Sequence, residues 1–402
     1  MKRNCKQPWM KRNDDFRRKQ VVKRLRTFIA LAAVPLFLAA CGNLSSSSIS
    51  GTSGTSKSSK TQLTGQSSDG DYEGVIKSGH YQTSKSRGVT NSQDSGNTYN
   101  VKSFENGMLG VSKKVFSTKS YVFQEGQYLS SSTVQNWLDR KTKSNPTGLN
   151  PKSNGSTSPT KRNPVYIQAL EEQDYMTQKN NKLSLGGVTI GIAVNSVDYY
   201  KKTQYGATYE TKITKAEGEA YAKKAANTVL KRLRKKSALK NVPIVIAIYR
   251  QASNDSLVGG NFIAYSENKG SATTVSKWNA LSEKNYVFPI ESGSSSPNSN
   301  DETSFTNFKS QVENFFPNLS GVTAQAHYSG NTLTGMHVNI TTQFYSQTEI
   351  ISFTQYLQTA AQKYLPSSVP IDITVSSTDS VQSFLSRSSG AKKFTSHVFN
   401  SY

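Results

Sequence analysis

Two stretches of this chain present the same structural signals in the same order, and that repetition limits the fold more than any other feature does. In the first, Gly187-Val188-Thr189 leads into Ile190-Gly191-Ile192-Ala193-Val194, rich in the β-branched residues that suit a pleated, buried surface. A second strand is expected over Ala207 to Ile213. Thr214-Lys215-Ala216-Glu217 then reads as a capping box, in which hydroxyl and carboxylate each accept from a free amide at a helix start. Tyr221, Ala225, Val229 and Leu233, with Ala222, Ala226 and Leu230 beside them, form one apolar helical stripe. The basic run Lys231, Arg232, Arg234, Lys235 and Lys236 complements the helix dipole and is expected to be a solvated helix end. Val242-Pro243-Ile244-Val245-Ile246-Ala247-Ile248 follows as a buried strand with its proline confined to the first positions.

The second stretch replays this. Gly321-Val322-Thr323 opens a strand, Ser329-Gly330-Asn331 marks a turn, and Met336 to Tyr345 alternates as the returning strand. Ser346-Gln347-Thr348-Glu349 is again a capping-box sequence. Ile350, Phe353, Leu357, Ala360 and Tyr364 give the apolar helix face, Pro366 stops it, and Val369-Pro370-Ile371-Asp372-Ile373 begins a strand. Helix-like segments, Met108 to Phe116 and Phe305 to Phe316, precede the two stretches. The fold class expected is α+β: two related repeat units, 96–255 and 256–402, each a mostly antiparallel sheet with a packed long helix. Only 34% of residues are hydrophobic, but 20 Tyr and 17 Phe supply the large apolar surfaces such cores need.

What precedes residue 96 is of another kind. Lys19, Lys23, Arg24 and Arg26 flank an apolar run from Phe28 to Leu38 that is too short to span a bilayer. Leu38-Ala39-Ala40-Cys41-Gly42 fits the recognition sequence of lipoprotein signal peptidase. The chemistry requires Cys41, whose thiol takes the diacylglyceryl group, and small neighbours that let the peptidase approach. Residues 1–40 are thus expected to be a lipoprotein signal peptide, and 41–95 the lipidated cysteine and a disordered, Ser/Thr/Gly-rich tether. Two acyl chains, at about 0.8 kcal/mol per buried methylene, anchor such a protein to the outer face of the cytoplasmic membrane. From Asn43 to about Gly70 apolar side chains are almost absent, and a coil of that length spans roughly 30 Å.

The formal charge of +23 suggests nucleic acid until it is divided. The first 26 residues carry a net +9, leaving +14 spread over the rest, with no zinc-finger, RNP or helix-turn-helix pattern. Nucleic acid is not an expected partner; anionic cell-envelope polymers and lipid headgroups are. Both cysteines, Cys5 and Cys41, precede the folded part, so no disulfide framework is available there. His80, His327, His337 and His397 lie in no metal-binding spacing, and no nucleophile elbow or phosphate loop occurs. No metal, cofactor or enzymatic activity is expected. Glu171, Glu172 and Asp174 could supply paired carboxylates, but adjacent acidic residues are more ordinarily a charged helix surface.

A candidate ligand patch is Asn195, Asp198, Tyr199, Tyr200 and Lys201, where polar and aromatic groups cluster at a strand end, joined by Tyr249 and Arg250 from another strand end. The alternative is a tight turn packed by tyrosines.

Leu170-Glu171-Glu172-Gln173-Asp174-Tyr175 and the run Gly191 to Lys202 resemble the CamS sex pheromone lipoprotein family of Gram-positive bacteria. The likeness extends through Gly107 to Leu129, Gly148-Leu149-Asn150-Pro151 and Ala247 to Gln251, covering nearly all of the mature chain. The resemblance implies a precursor whose signal peptide, after lipoprotein processing, is trimmed to a short apolar peptide that a receptor reads to promote plasmid conjugation. Carried onto this sequence, that peptide is Val34, Pro35, Leu36, Phe37, Leu38, Ala39 and Ala40, with Pro35 departing from the usual aliphatic or aromatic run. The alternative function is an extracellular ligand-binding lipoprotein using a cleft between the two repeats.

Overall fold

In the computed structural model, residues 48–49, 61–66, 70–90, 97–180, 182–291, 293–315, 319–367 and 369–400 are described. The expected signal peptide, lipobox at 38–41 and candidate peptide at 34–40 lie outside them. Four short strands come first: β1 (Ser48–Ile49), β2 (Thr61–Leu63), β3 (Val75–Lys77) and β4 (His80–Tyr81), paired in that order. Leu63 and Val75 pack on Val122, Met176 and Leu183, so residues within the expected 41–95 tether belong to the folded body.

The first unit begins with α1 (Thr98–Lys113), β5 (Val122–Glu125) and α2 (Ser131–Leu138). The hairpin β6 (Ile167–Lys179) and β7 (Lys182–Val194) follows, with Asn180 in the left-handed region that asparagine tolerates. A two-stranded ribbon, β8 (Val197–Lys201) with β9 (Thr208–Lys212), leads to α3 (Lys215–Leu233). This helix crosses over to β10 (Ile244–Arg250), which lies parallel to β7, and β11 (Asn261–Asn268) and β12 (Asn279–Ala280) complete the sheet. The second unit is β13 (Glu283–Phe288), α4 (Ser299–Phe315), the hairpin β14 (Leu319–Ser329) and β15 (Thr332–Thr342), α5 (Gln347–Tyr364), β16 (Ile371–Ser376), β17 (Val381–Arg387) and β18 (Thr395–Val398).

The sheets run β5-β6-β7-β10-β11-β12 and β13-β14-β15-β16-β17-β18, and both have one parallel pair at the centre with antiparallel pairs on either side. The two units are therefore related, as the repeated signals predict, but the correspondence needs correction. The partner of Gly187 to Val194 is not Ala207 to Ile213, which pairs with β8 in the separate ribbon, but Ile167 to Lys179. Strand β7 thus matches β15, and β6 matches β14. The Leu170 to Tyr175 segment is the middle of a strand, not a helix surface.

The units also differ. In the first, α1 precedes the edge strand and covers one sheet face with Phe104, Met108 and Val111, while α2 and α3 cover the other. Strand β10 is accordingly buried from Ile244 to Tyr249, as a strand covered on both faces must be. Gly191 makes this possible: a Cβ there would stand 2.4 Å from Met108 Sδ and 2.7 Å from the Phe104 ring. In the second unit α4 follows the edge strand, and both helices share one core on the same face. Strands β14 to β17 then alternate, leaving the other face open.

Three further expectations change. The boundary is not at 255, because β11 pairs with β10 from Ile244 to Arg250. Leu281 N–H donates to Ile263 in the first sheet, and Ser282 accepts from Gly330 in the second. Of the basic run, Arg234 is buried, its guanidinium donating to the carbonyls of Leu239, Val242, Asn268 and Ala272. The Thr214 capping box forms, but Ser346 caps nothing with its side chain, and its hydroxyl sits 3.2 Å from that of Thr348.

Candidate functional site

Alternation along β6 sends Glu171 and Gln173 to the α1 face and Leu170, Glu172 and Asp174 to the other. On the α1 face lies a cavity of about 300 Å³, walled by the 81–90 segment, α1, β5 and β6. Val101, Phe104, Leu109 and Phe123 give it apolar surface, and Glu105, Glu125 and Glu171 its acidic groups. Both carboxylate oxygens of Glu125 are engaged, by Tyr81 O–H at 2.9 Å and Ser84 N–H at 2.8 Å. Burial, and then the charges of Glu105 and Glu125, push the Glu171 carboxyl up to about 8, with Arg87 pulling the other way. Gln173, 4% exposed, accepts from Tyr175 O–H at 2.9 Å.

On the opposite face Glu172 and Asp174 are fully buried together. Glu172 accepts from Tyr128 N–H at 3.1 Å and Leu129 N–H at 2.7 Å, and Asp174 from Gln127 N–H at 3.0 Å. Burial and the neighbouring Glu172 push Asp174 up to about 9, and burial raises Glu172 as well. Two carboxyls so placed titrate as a unit and do not both ionise at neutral pH. Their work is to hold the loop that leads into α2.

A second concavity, about 470 Å³, lies between α1 of the first unit and the open face of the second sheet. Lys102, Ser103 and Asn106 face His327, His337 and Asp372 across it. The amide of Asn285 is oriented by its donations to Gly259 and Gly260 carbonyls, each at 3.1 Å, so its oxygen accepts from His327 Nδ1 at 2.6 Å. Burial lowers the His327 pKa, which keeps that imidazole neutral. Gln325 donates to Leu257 at 2.8 Å, a further bond between the units.

The candidate patch divides into separate neighbourhoods. Asp198 is buried in an ion pair with Arg162 and accepts from Val165 N–H at 2.8 Å, while Asn195 donates to the Val165 carbonyl at 3.0 Å. The Arg162 guanidinium lies 3.9 Å from the Tyr200 ring centre. These three residues thus fasten the 162–165 segment. Tyr199 accepts from Asn254 N–H at 3.0 Å, and Lys201 is exposed at the ribbon end. Tyr249 lies beneath α1, hydrogen-bonded to Ser103 and Asn100, whereas Arg250 donates to Ile213 at 2.9 Å. None of the seven lines the concavity between the units.

Of the residues that line the two concavities, the sequence singles out Glu171 as one of three neighbouring carboxylates, and His327 and His337 only as histidines outside any metal-binding spacing. Leu170 to Tyr175 does not alternate apolar with polar residues, so nothing local says that Glu171 and Gln173 share a strand face. For His327 and His337 no local signal exists, because sheet pairing and the approach of α1 bring them together. Among the described residues no group of three or more His, Cys, Asp or Glu side chains could hold a metal ion, and no helix is long and apolar enough to cross a membrane.

The family profile described as CamS sex pheromone cAM373 precursor matches residues 81–393. A sex pheromone precursor from Lactobacillus salivarius subsp. salivarius UCC118 is similar in structure, with 53% identity and a TM-score of 0.81 over 85% of this chain and 100% of its own. The C-terminal domain of the sex pheromone staph-cAM373 precursor from Staphylococcus aureus is 30% identical, with a TM-score of 0.66 over 77% of this chain and 99% of its own. No curated protein matches the chain.

Proposed function

The chain belongs to the CamS sex pheromone cAM373 precursor family, and on that premise we propose that it is a surface lipoprotein whose signal peptide releases the apolar fragment Val34 to Ala40. The supporting observation is the family match over residues 81–393 in a chain that carries Leu38-Ala39-Ala40-Cys41 after a basic flank and a short apolar run. In this reading Cys41 receives the diacylglyceryl group, lipoprotein signal peptidase cuts before it, and the mature protein stays on the outer face of the cytoplasmic membrane. The released fragment has no charged side chain, so an apolar receptor pocket can take it and relay the signal for conjugative transfer. The basic mature surface is drawn to anionic envelope polymers.

Mass spectrometry of culture supernatant tests the reading, run beside a strain lacking lipoprotein signal peptidase. The fragment 34–40 is expected from the parent only; its absence from a parent whose Cys41 is labelled by palmitate sinks the precursor step. Cys41→Ala is expected to accumulate unprocessed chain. Substitutions within 34–40 alter mating, and deletion of everything after Ser45 does not.

A second reading gives the mature part a task of its own, ligand binding in the cleft between the units. It is supported by side chains of both units, Ser103 and Asn106 against His327 and Asp372, lining one concavity.

A further inference from the structure

The cavity on the α1 face of the first unit belongs to neither reading. It is acidic in a chain whose formal net charge is +23, and Arg87 is the one basic side chain among its described lining residues. Its carboxylates differ in their bonding. Glu125 is fixed by Tyr81 and Ser84, whereas Glu171 has no hydrogen-bond or ion-pair partner among the described residues. Gln173 follows two positions along the same strand face, about 7 Å away along the backbone. Its side chain is more than nine-tenths buried and lines the cavity. Its oxygen is used by Tyr175, and its amide nitrogen donates to nothing among the described residues. That nitrogen is not wholly enclosed, so it can donate to an acceptor inside the cavity.

We propose that this cavity is a binding site for a small organic cation, a primary ammonium group carried on an aliphatic body. The ammonium donates to Glu171, with Glu125 and Glu105 adding long-range attraction, and the body lies against Val101, Phe104, Leu109 and Phe123. An acceptor on the body, such as a carbonyl oxygen, meets Gln173. An N–H donor suits carboxylate acceptors better than a quaternary ammonium does. The apolar walls do not offer the six or so oxygen ligands that a bare divalent cation would require. Glu171 holds its proton in the empty cavity at neutral pH and gives it up when the ammonium enters, because an adjacent positive charge favours the carboxylate. The groups facing it are Glu105 from α1, Glu125 from β5 and Arg87 from the 81–90 segment. The site does not depend on the precursor reading.

Titration calorimetry of the full chain with n-hexylammonium, hexanoate and 1-hexanol at pH 7 tests this. Saturable binding of hexylammonium is expected, at least tenfold tighter than either of the other two. Binding measured in two buffers of different ionisation enthalpy is expected to show proton release. Glu171→Gln, which keeps the shape and removes the charge, should weaken hexylammonium at least tenfold. Hexanoate binding as tightly, no binding of hexylammonium, or a Glu171→Gln chain that binds it unchanged would each overturn the proposal. The proton release is read on the unmodified chain, so the inference stays testable even if the variant does not fold.

Discussion

A carboxyl two residues from another on one buried strand face pays twice, once for leaving water and once for its neighbour's charge. Asp174 and Glu172 bear both costs and offset part of them with the N–H groups of Gln127, Tyr128 and Leu129. Asp174 is raised from 3.8 to about 9, so between those values the folded chain holds a proton that the unfolded chain has lost. Its contribution to stability is therefore greatest below the unfolded value and is lost as pH rises through the folded one, with a slope of at most about 1.4 kcal/mol per pH unit for one proton. Asp174→Asn keeps an acceptor for Gln127 and carries no charge. Melting curves should show the variant above the parent at alkaline pH, with the difference shrinking toward pH 4; a variant that melts lower at alkaline pH would contradict this account. Arg162 poses the reverse case, since Arg162→Met strands the Asp198 carboxylate. Denaturant titration should show a loss of about 3–5 kcal/mol, the usual cost of breaking a buried pair. Neither cost could be read from the sequence. Glu-Glu-Gln-Asp looks like a solvated surface because the amides that satisfy it come from residues more than 40 positions earlier.

Among the elements, the two crossover helices begin with the same kind of sequence and different chemistry. Thr214 Oγ1 accepts from Glu217 N–H at 3.2 Å while the Glu217 carboxylate accepts from Thr214 N–H at 2.9 Å. Ser346 makes no such bond. Thr214→Ala should therefore cost about 1 kcal/mol, and Ser346→Ala only a few tenths, by equilibrium unfolding. Equal losses at the two positions would show that the Ser346 cap forms in solution. Helix stripes were legible because a 3.6-residue period is local: Ala222, Ala225, Ala226, Val229, Leu230 and Leu233 are buried as their spacing predicts, with Tyr221 half-buried beside them. Strand partners were not. Nothing within Ala207 to Ile213 says that it pairs with a ribbon rather than with the main sheet, and the partner choice that separates them is made by contacts distant in sequence.

Across the whole molecule, one exchange in chain order explains why the units look different. Placing α1 before its edge strand puts it on the face opposite α3, and both faces of the first sheet are closed. Placing α4 after its edge strand puts it beside α5, where Phe315 and Tyr356 stack 4.0 Å apart, and leaves the other face of the second sheet open to the cleft. The repeated strand and helix signals do not record which face a helix takes, which is why the two-unit plan was legible and the cleft was not. The same logic fixes where the chain divides. A cut at 255 removes β11 from the first unit and exposes β10 along its edge, Ile244 to Arg250, the most continuously apolar strand of that sheet. Unpaired apolar edges recruit other chains. Residues 61–281 should accordingly be monomeric and unfold cooperatively, whereas 61–255 aggregates, as light scattering and dye binding would report. The complementary fragment 282–402 contains every strand of the second sheet and both of its helices, and should fold alone; 256–402 carries β11 without its partner and gains no stability from it. A monomeric 61–255 as stable as 61–281 would return the boundary to 255, just ahead of the glycine pair at 259–260. That pair has another reason to be there, because a Cβ at Gly260 would stand 1.9 Å from the Arg250 carbonyl oxygen, and only glycine permits the turn that brings β11 back onto β10.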